Sequence, residues 1–511
     1  MSRAIRFLLD DELQQVCGVD PHTTVLDWLR LQQRLTGTKE GCAEGDCGAC
    51  TVAIGELDGD TVRYRSFNAC IQLLASIDGK QLVTVEHLAN GRGADTELHP
   101  VQQAMVDQHG AQCGFCTPGF VMSLFTLYHQ SNRVDSEPLA RSDIDRAIAG
   151  NLCRCTGYAP IVRAAKQAAN QPPDDRFIQQ KDQVVDQLRR LEKDAALVFE
   201  HCPSDEKATA RRYFAPRRLT DLWQLQADWP DACLVAGTTD VGLWITKELR
   251  QFDTLIYLGE VEELKAIESG PLPAHLASTG EAAECLQIGA AVTYTDAMPA
   301  LLDWYPELRP MLLRLGADQV RNAGTVGGNI ANGSPIGDMP PALIALDASL
   351  VISSTSGRRI MPLENFFLEY GKQDLQSGEC VELVLVPAPV PAQRVGVYKV
   401  SKRFDQDISG LCGGFTVQLV DGRARNVRIC FGGMAGTPAR ALKTEAILEG
   451  NRWDEAVIER ACGAMADDYK PLTDWRASQS YRLLAAQNLL RRFWHENQPE
   501  SAASRQVMVN R

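Results

Sequence analysis

A chain of 511 residues, 45% hydrophobic and 23% charged, is long enough for roughly three or four domains that each bury a core. Its formal net charge of −13 argues against nucleic acid, whose binding rests on Lys/Arg contacts to phosphate. The opening MSRAIRFLLDDELQQV carries charges inside its only apolar run and no cleavage site, and no apolar stretch approaches a membrane span. The expectation is a cytoplasmic protein, where sixteen cysteines point to metal rather than to a disulfide framework.

In chain order, residues 3–9 and 13–16 read as a hairpin. Thr24 and Asp27 form a capping-box start for a helix through TVLDWLRLQQRL. TGTKEGCAEGDCGAC is too glycine-rich for regular structure, and the strand TVAIGEL follows, giving a small mixed domain that ends near Val85. From His99 to Asn170 the texture is helical: HPVQQAMVDQHG, PGFVMSLFTLYHQ, RSDIDRAIAG and PIVRAAKQAAN have helically spaced apolar positions, with cysteines in the breaks between them. QPPDD opens a polar linker containing one amphipathic segment, KDQVVDQLRRLEKDAALVF. The interrupted Arg211–Arg212 and Arg217–Arg218 stretch reads as a solvated face. Strands and helices then alternate from Arg217 to Pro391, and a last α+β segment with strands GFTVQLV and VRICFGG ends in helices to Glu496.

Half of the cysteines are clustered. Cys42, Cys47 and Cys50 have the Cys-x4-Cys-x2-Cys spacing of plant-type [2Fe–2S] ferredoxins, with Cys70 as the distant fourth ligand. Thiolates and sulfides carry excess negative charge, and Gly41, Gly45 and Gly48 allow backbone N–H groups to turn towards it. Structural zinc is the alternative, although it normally uses two short knuckles and one is present. Cys113 and Cys116 precede one helix, and Cys153 and Cys155 precede another, where helix N-termini favour anionic thiolates. Together they form a second four-thiolate set, with a redox dithiol or zinc as alternatives. The remaining eight, Cys17, Cys202, Cys233, Cys285, Cys380, Cys412, Cys430 and Cys462, read as small buried hydrophobes.

ACLVAG running into GTTDVGLWITKEL, and NAGTVGGNIANGSPIGD, lack the G-x-G-x-x-G of a Rossmann fold. Each is a Gly/Thr/Asn turn whose backbone N–H groups could cradle a pyrophosphate, or an ordinary turn.

CAEGDCGAC, QCGFCTPGF and NLCRCTGYAPI resemble the molybdenum hydroxylase family, in particular its purine-oxidising branch. The resemblance implies a multidomain α+β chain. Residues 1–85 would form a ferredoxin-like β-grasp [2Fe–2S] domain and 86–170 a helical-bundle [2Fe–2S] domain. After a linker at 171–210 come an α+β FAD-binding domain at 211–391 and a C-terminal α+β flavoprotein domain at 392–500. It implies that Leu234, Val235, Ala236, Gly237, Thr238, Thr239, Asp240 and Val241, with Thr325, Val326, Gly327, Gly328 and Asn329, line FAD. Asp338 would lie near it, and Val381 and Lys399 would approach the isoalloxazine. The charged loop KRFDQDISG, otherwise a solvated surface loop, resembles one beside the flavin that influences NAD access.

Two positions depart from the family pattern: Asp10–Asp11 replace Asn-Gly at the first turn, and Leu315 stands where an aromatic residue is common. The implied cofactors are two [2Fe–2S] clusters and FAD, with NAD+ as co-substrate. A large partner subunit would carry the molybdenum–pterin cofactor in an α2β2 assembly, so this chain needs no catalytic acid or base for substrate hydroxylation. The equivalent subunit of an aldehyde or N-heterocycle hydroxylase is the alternative, and a non-catalytic metal-binding assembly protein is a third reading.

Overall fold

The computed structural model describes residues 3–90, 97–130, 139–169, 174–191, 195–202, 209–273 and 284–498. Parts of the expected linker (170–173, 192–194, 203–208) and the last residues of the expected C-terminal domain (499–500) lie outside them. The chain divides into two compact units, one built from 1–262 and 316–324, the other from 263–315 and 325–511.

The first unit opens with a five-stranded mixed sheet in the order β2-β1-β5-β3-β4, formed by β1 (Ile5–Leu9), β2 (Glu12–Val16), β3 (Thr51–Asp58), β4 (Thr61–Asn68) and β5 (Gln81–Val83). β1 pairs antiparallel with β2 and parallel with β5, the mixed pairing of a β-grasp. Asp10 turns the hairpin at φ +59°, a left-handed conformation that aspartate tolerates better than most residues, so the Asn-Gly departure costs the turn little. Thr24 caps α1 (Val25–Asp27) as expected, its hydroxyl accepting from Asp27 N at 3.0 Å. The rest of the expected helix is instead a π-helical turn, Trp28–Gln32. Trp28 and Leu29 are adjacent and both buried, Trp28 edge-on to Phe7 at 5.1 Å, and the wider turn accommodates both before the chain enters the cysteine loop.

Helices α2 (Pro100–Asp107), α3 (Thr117–Tyr128), α4 (Arg141–Ile148) and α5 (Ala159–Ala168) form the expected bundle around Phe120, Phe125, Ile144 and Ile161. Proline occupies the first turn of α2, α3 and α5, where the missing N–H has no intrahelical partner to lose. Part of the segment read as linker is structured. It carries α6 (Arg176–Gln179), α7 (Lys181–Arg190) and β6 (Leu197–His201), so the single amphipathic segment divides into a helix and an edge strand. α7 buries Val184 and Leu188 against Leu8. β6 pairs antiparallel with β7 (Arg211–Ala215). β7 joins the parallel β9 (Thr254–Tyr257) and β8 (Cys233–Val235), with α8 (Leu219–Asp228) and α9 (Thr239–Thr246) in the connections.

A buried carboxylate ties these parts together. Asp175 Oδ2 accepts from His99 Nε2 and His129 Nε2, both at 2.7 Å, while its Oδ1 caps α6 through Ile178 N at 3.0 Å. His99 Nδ1 accepts from Val101 N, which puts its proton on Nε2 and makes the triad a hydrogen-bonded lock between the start of α2, the end of α3 and the incoming chain.

The second unit contains an antiparallel sheet in the order β10-β11-β16-β12-β13, formed by β10 (Ile267–Pro271), β11 (Glu284–Gly289), β12 (Ser349–Ser354), β13 (Gly357–Pro362) and β16 (Cys380–Pro387). The small hairpin β14 (Phe367–Glu369) and β15 (Lys372–Gln373) lies between β13 and β16 in the chain. α10 (Tyr294–Trp304), α11 (Arg309–Leu312), α12 (Val326–Ala331) and α13 (Met339–Ala345) contribute to its core. A meander of β17 (Gln393–Val400), β18 (Leu411–Val420), β19 (Arg423–Gly432) and β20 (Ala439–Arg440) follows. α14 (Leu442–Leu448), α15 (Glu455–Asp468) and α16 (Gln479–Glu496) complete the unit, around Phe415, Phe431 and Phe493.

Cys285, Cys380, Cys412, Cys430 and Cys462 are buried as expected and Cys233 is half-buried. Cys17 and Cys202 are exposed, because each follows the last residue of a strand and leaves the sheet. No helix among the described residues is long and apolar enough to cross a membrane.

Burial pushes the Asp175 carboxyl up, and the His129 and His99 hydrogen bonds more than reverse it, leaving it well below the usual carboxylate range. Burial holds the His99 imidazole below its ordinary value despite Asp175. Both shifts are depressions, so both contribute stability at neutral pH that is lost on acidification. For His99 the loss begins as the pH falls below about 6.5. Asp175→Asn is expected to cost about 2–4 kcal/mol in denaturant unfolding at pH 7. His99→Gln should flatten the decline in stability below that pH, measured by the same unfolding series.

Candidate metal centres and flavin loops

The first cysteine set lies in the loop between the π-helical turn and β3, with Cys70 just beyond β4. The N–H groups of Glu44, Asp46 and Cys47 point at Cys42 Sγ from 3.5, 3.4 and 3.4 Å. Gly45 and Gly48 reach this curl with φ of +76° and +66°. The thiols crowd one another. Cys42 is drawn far below the usual thiol range by hydrogen bonds from Cys47 and Cys70, and Cys70 is driven far above it by sharing with Cys42 and Cys50. Thiols this close cannot ionise independently, and a cationic iron–sulfur core bound by four thiolates fits the donor set. Asn68, missed in the sequence, closes the loop: its Nδ2 donates to Gly45 O at 2.8 Å, and Cys50 Sγ lies 3.9 Å from its Oδ1.

The second set pairs across its two knuckles. Cys116 is the N-cap of α3, and its thiol is pushed up to about 12 by burial and by sharing with Cys153. Burial raises the Cys153 thiol, but the Thr156 hydroxyl and N–H, at 3.1 and 3.4 Å, outweigh that and leave it lowered. Cys155, exposed, is raised chiefly by its hydrogen bond with the Cys113 thiol. The helix-terminus expectation holds for Cys116 alone. α5 begins only at Ala159, after Tyr158 at φ +68°, so Cys153 and Cys155 rely on Thr156 and on the turn. Tyr158 OH accepts from Cys153 N at 3.0 Å, and it too belongs to the quoted motif without having been singled out. Between the sets, Leu152 N donates to Cys47 O at 3.0 Å.

The two flavin loops fall in different units. In the first unit, Leu234 and Val235 end β8, Ala236 and Gly237 turn, and Thr238 at φ +62° caps α9, on which Thr239, Asp240 and Val241 lie. A Cβ on Gly237 would come within 2.0 Å of Ala323 O, so only glycine allows this approach. α9 rests on the first cysteine loop: Thr246 Oγ1 donates to Ala43 O at 2.8 Å, and a Cβ on Gly242 would meet Ile71 O at 2.6 Å.

In the second unit, Thr325 caps α12, its hydroxyl accepting from Gly328 N at 3.0 Å. Val326 and Gly327 are buried, and a Cβ on Gly327 would strike Ala290. Asn329 Oδ1 is buried without a hydrogen-bond partner, as expected of an acceptor awaiting a ligand donor. Asp338 and Lys399 are brought together as a buried ion pair at 2.6 Å, and Ser409 Oγ donates to the other Asp338 oxygen at 2.6 Å. Val381 and Leu315 pack into the core of this unit, so neither offers an open stacking face. The residues 401–409 follow β17 as a loop, with the Arg314 guanidinium 4.5 Å over Phe404 and bonded to Phe404 O.

Family profiles match in chain order. Residues 7–74 match a 2Fe-2S iron-sulfur cluster binding domain and 84–166 a [2Fe-2S] binding domain. Residues 207–389 match the FAD binding domain in molybdopterin dehydrogenase, and 396–497 the CO dehydrogenase flavoprotein C-terminal domain. The chain belongs to the molybdenum hydroxylase family, as an iron–sulfur and flavin portion. It is 31% identical over 507 residues to xanthine dehydrogenase 1 of Arabidopsis thaliana, covering 88% of this chain and 36% of that protein. Aldehyde oxidase 4 of Cavia porcellus is 30% identical over 498 residues, with the same two coverages. Carbon monoxide dehydrogenase from Hydrogenophaga pseudoflava superposes with a TM-score of 0.50 at 26% identity, over 55% of this chain and 94% of that one. The chain thus spans about a third of the length of the curated relatives it matches.

Reduced protein at cryogenic temperature should give two distinguishable iron–sulfur EPR signals, and stoichiometric zinc without them would refute the cluster assignment. Cys153→Ser should remove one signal and leave the other together with bound FAD.

Proposed function

We propose that this chain is the iron–sulfur/FAD subunit of a xanthine dehydrogenase, passing electrons from hypoxanthine or xanthine hydroxylation at a partner's molybdenum–pterin cofactor to NAD+. Cys42, Cys47, Cys50 and Cys70 would hold one [2Fe–2S] cluster, and Cys113, Cys116, Cys153 and Cys155 the other. The clusters supply single-electron exchange, and FAD the conversion to a two-electron hydride exchange with NAD+.

The observation that carries the reading is the succession of contacts in the first unit. The second cysteine set touches the first through Leu152 and Cys47, and the first touches the flavin-loop helix through Ala43 and Thr246. Three sites arranged in series suit a conduit, and nothing in this chain has to act as acid or base on a purine. Lys399 sits beside the one flavin loop of its own unit as a cation neutralised by Asp338, which orients it without adding net charge.

A cavity of about 550 Å³ lined by Lys402, Asp407, Ile408, Trp475, Arg476 and Tyr481 supports NAD+ as the acceptor. It combines the exposed aromatic side chains of Trp475 and Tyr481 with the cations Lys402 and Arg476, beside the carboxylates of Asp407 and Asp474. The Arg476 guanidinium lies 3.9 Å over Trp475 with its Nε buried and unpartnered.

The assembly reading is a heterodimer with the large molybdenum subunit, doubled to α2β2, in the cytoplasm. A sibling aldehyde or N-heterocycle hydroxylase is the second reading, favoured by the near-equal similarity to aldehyde oxidase 4. Tagged purification from the native host should bring down a large molybdenum-containing partner that reduces NAD+ with xanthine. A partner that leaves xanthine inert while NADH reduces dyes transfers the assignment to the sibling. Arg476→Ala should raise KM for NADH roughly tenfold or more in dye reduction, the loss of one charge-assisted contact.

A further inference from the structure

The loop that carries Cys153 and Cys155 is built around one threonine. Thr156 Oγ1 lies 3.1 Å from Cys153 Sγ, and the Thr156 N–H donates to the same sulfur at 3.4 Å. Oγ1 also accepts the Tyr158 N–H at 3.2 Å, which takes up one of its lone pairs. A metal-bound thiolate has no proton to give, so the hydroxyl is the donor to sulfur once the site is filled. Cys153 is 8% exposed, which keeps bulk water from competing for that sulfur. Among the described residues no other thiol of this set has a hydroxyl partner, and Cys113 and Cys155 are exposed.

The turn is strained to hold the threonine there. Gly157 and Tyr158 follow it at φ +64° and +68°, and a left-handed tyrosine persists only where its surroundings over-determine it. Tyr158 OH accepts from Cys153 N at 3.0 Å and donates to Asn151 O at 3.5 Å. Asn151 in turn belongs to a buried polar hub. Its Nδ2 donates to Gly48 O at 3.0 Å and to Thr51 Oγ1 at 3.3 Å. Its Oδ1 accepts from Ser123 Oγ at 2.7 Å and from Gln319 Nε2 at 3.3 Å. The Thr156 dipole is thus held by a chain of bonds that ends in the core.

We propose that the Thr156 hydroxyl raises the reduction potential of the second cluster, by stabilising the negative charge that Cys153 gains when the cluster takes up an electron. The inference rests on the assignment of Cys113, Cys116, Cys153 and Cys155 to a [2Fe–2S] cluster. In the step one electron enters the cluster, no bond forms or breaks, and the proton stays on Oγ1. A hydrogen bond to sulfur favours the more negative state, which sets the direction of the shift. The first set is served differently: Cys42 Sγ takes the N–H groups of Glu44, Asp46 and Cys47 at 3.5, 3.4 and 3.4 Å. Those backbone donors survive any side-chain change, whereas the Thr156 hydroxyl does not. Position 156 is therefore where the second potential is adjustable independently of the first.

The test is an EPR-monitored redox titration of the holo-protein with dithionite and mediators, which reads both clusters in one sample. The second cluster is the one whose signal Cys153→Ser removes. Thr156→Val keeps the shape and deletes the hydroxyl. It should lower the equilibrium constant for reducing the second cluster about tenfold, a fall of about 59 mV for one electron. The first cluster should titrate unchanged, and Thr156→Ser should keep the original second potential. A valine variant with that potential unmoved overturns the proposal. A serine variant as low as the valine one also overturns it, as does an equal shift of both clusters, since altered packing alone would do either. Should Thr156→Val lose the cluster, the unsubstituted protein decides. In its ENDOR spectrum heavy water should replace a strong hydroxyl-proton coupling of the second cluster by a deuteron coupling that Thr156→Ser shares; no such coupling overturns the proposal. Absence of iron–sulfur signals from the unsubstituted protein overturns the cluster assignment, and the tuning with it.

Discussion

The carbonyl of Gly48 is where the first unit is pinned. It accepts from Thr51 Oγ1 at 2.6 Å, Thr51 N at 3.1 Å and Asn151 Nδ2 at 3.0 Å. A Cβ on Gly119 would come within 2.1 Å of that oxygen, and a Cβ on Gly48 within 2.1 Å of Gly150 O. The first cysteine loop, α3 and the second cysteine loop therefore meet backbone against backbone, with no room for a methyl group. Backbone is the least adjustable material in a protein, so a contact made of it transmits position with little slack. The placement of Cys47, Cys50, Cys116 and Cys153 follows from this meeting.

Near the proposed cofactors, fixed dipoles and an internal ion pair face the charged groups. The first cysteine set is faced by backbone N–H groups, and the second by a threonine hydroxyl and its N–H. Asp338 cancels Lys399, and Ser409 fixes the remaining Asp338 oxygen. Fixed dipoles need little reorganisation when the charge beside them changes by one electron, whereas a mobile lysine or a water shell would have to move. A chain with a net charge of −13 can hold anionic cofactors on these terms.

The cysteine spacings, the prolines opening α2, α3 and α5, and the Thr24 cap were legible because each is a local rule read within a few residues. The π-helical turn was not, because it answers to the burial of Trp28 and Leu29 together against a strand that helical periodicity does not see. The structured linker was missed for a related reason. Asp175 has no motif around it, and its role appears only when His99 and His129 come to it from 76 and 46 residues away. Asn68, Asn151 and Tyr158 stood inside or beside quoted motifs, yet their neighbours were read as ligands and they were not read as supports. Gln319 gave no signal at all: an isolated glutamine in a short helical turn, bonded to residues 268, 196 and 168 positions earlier, is invisible to any local reading. The two expected flavin loops were recognisable as turns, but the blocked Cβ positions and the orphaned Asn329 oxygen appear only in three dimensions.

The place of Gln319 in the chain also sets a clock. Residues 1–262 of the first unit are made before the chain enters the second, and the piece that completes the hub, 316–324, comes later. Gln319 follows Asn151 by 168 residues, which at ribosomal speed is an interval of roughly ten to thirty seconds. Through that interval Asn151 and Leu152 can already join the two cysteine loops, but without the Gln319 amide that braces Asn151. Nascent protein thus has a built-in waiting period before the last brace arrives, when every cysteine of both sets has already been made.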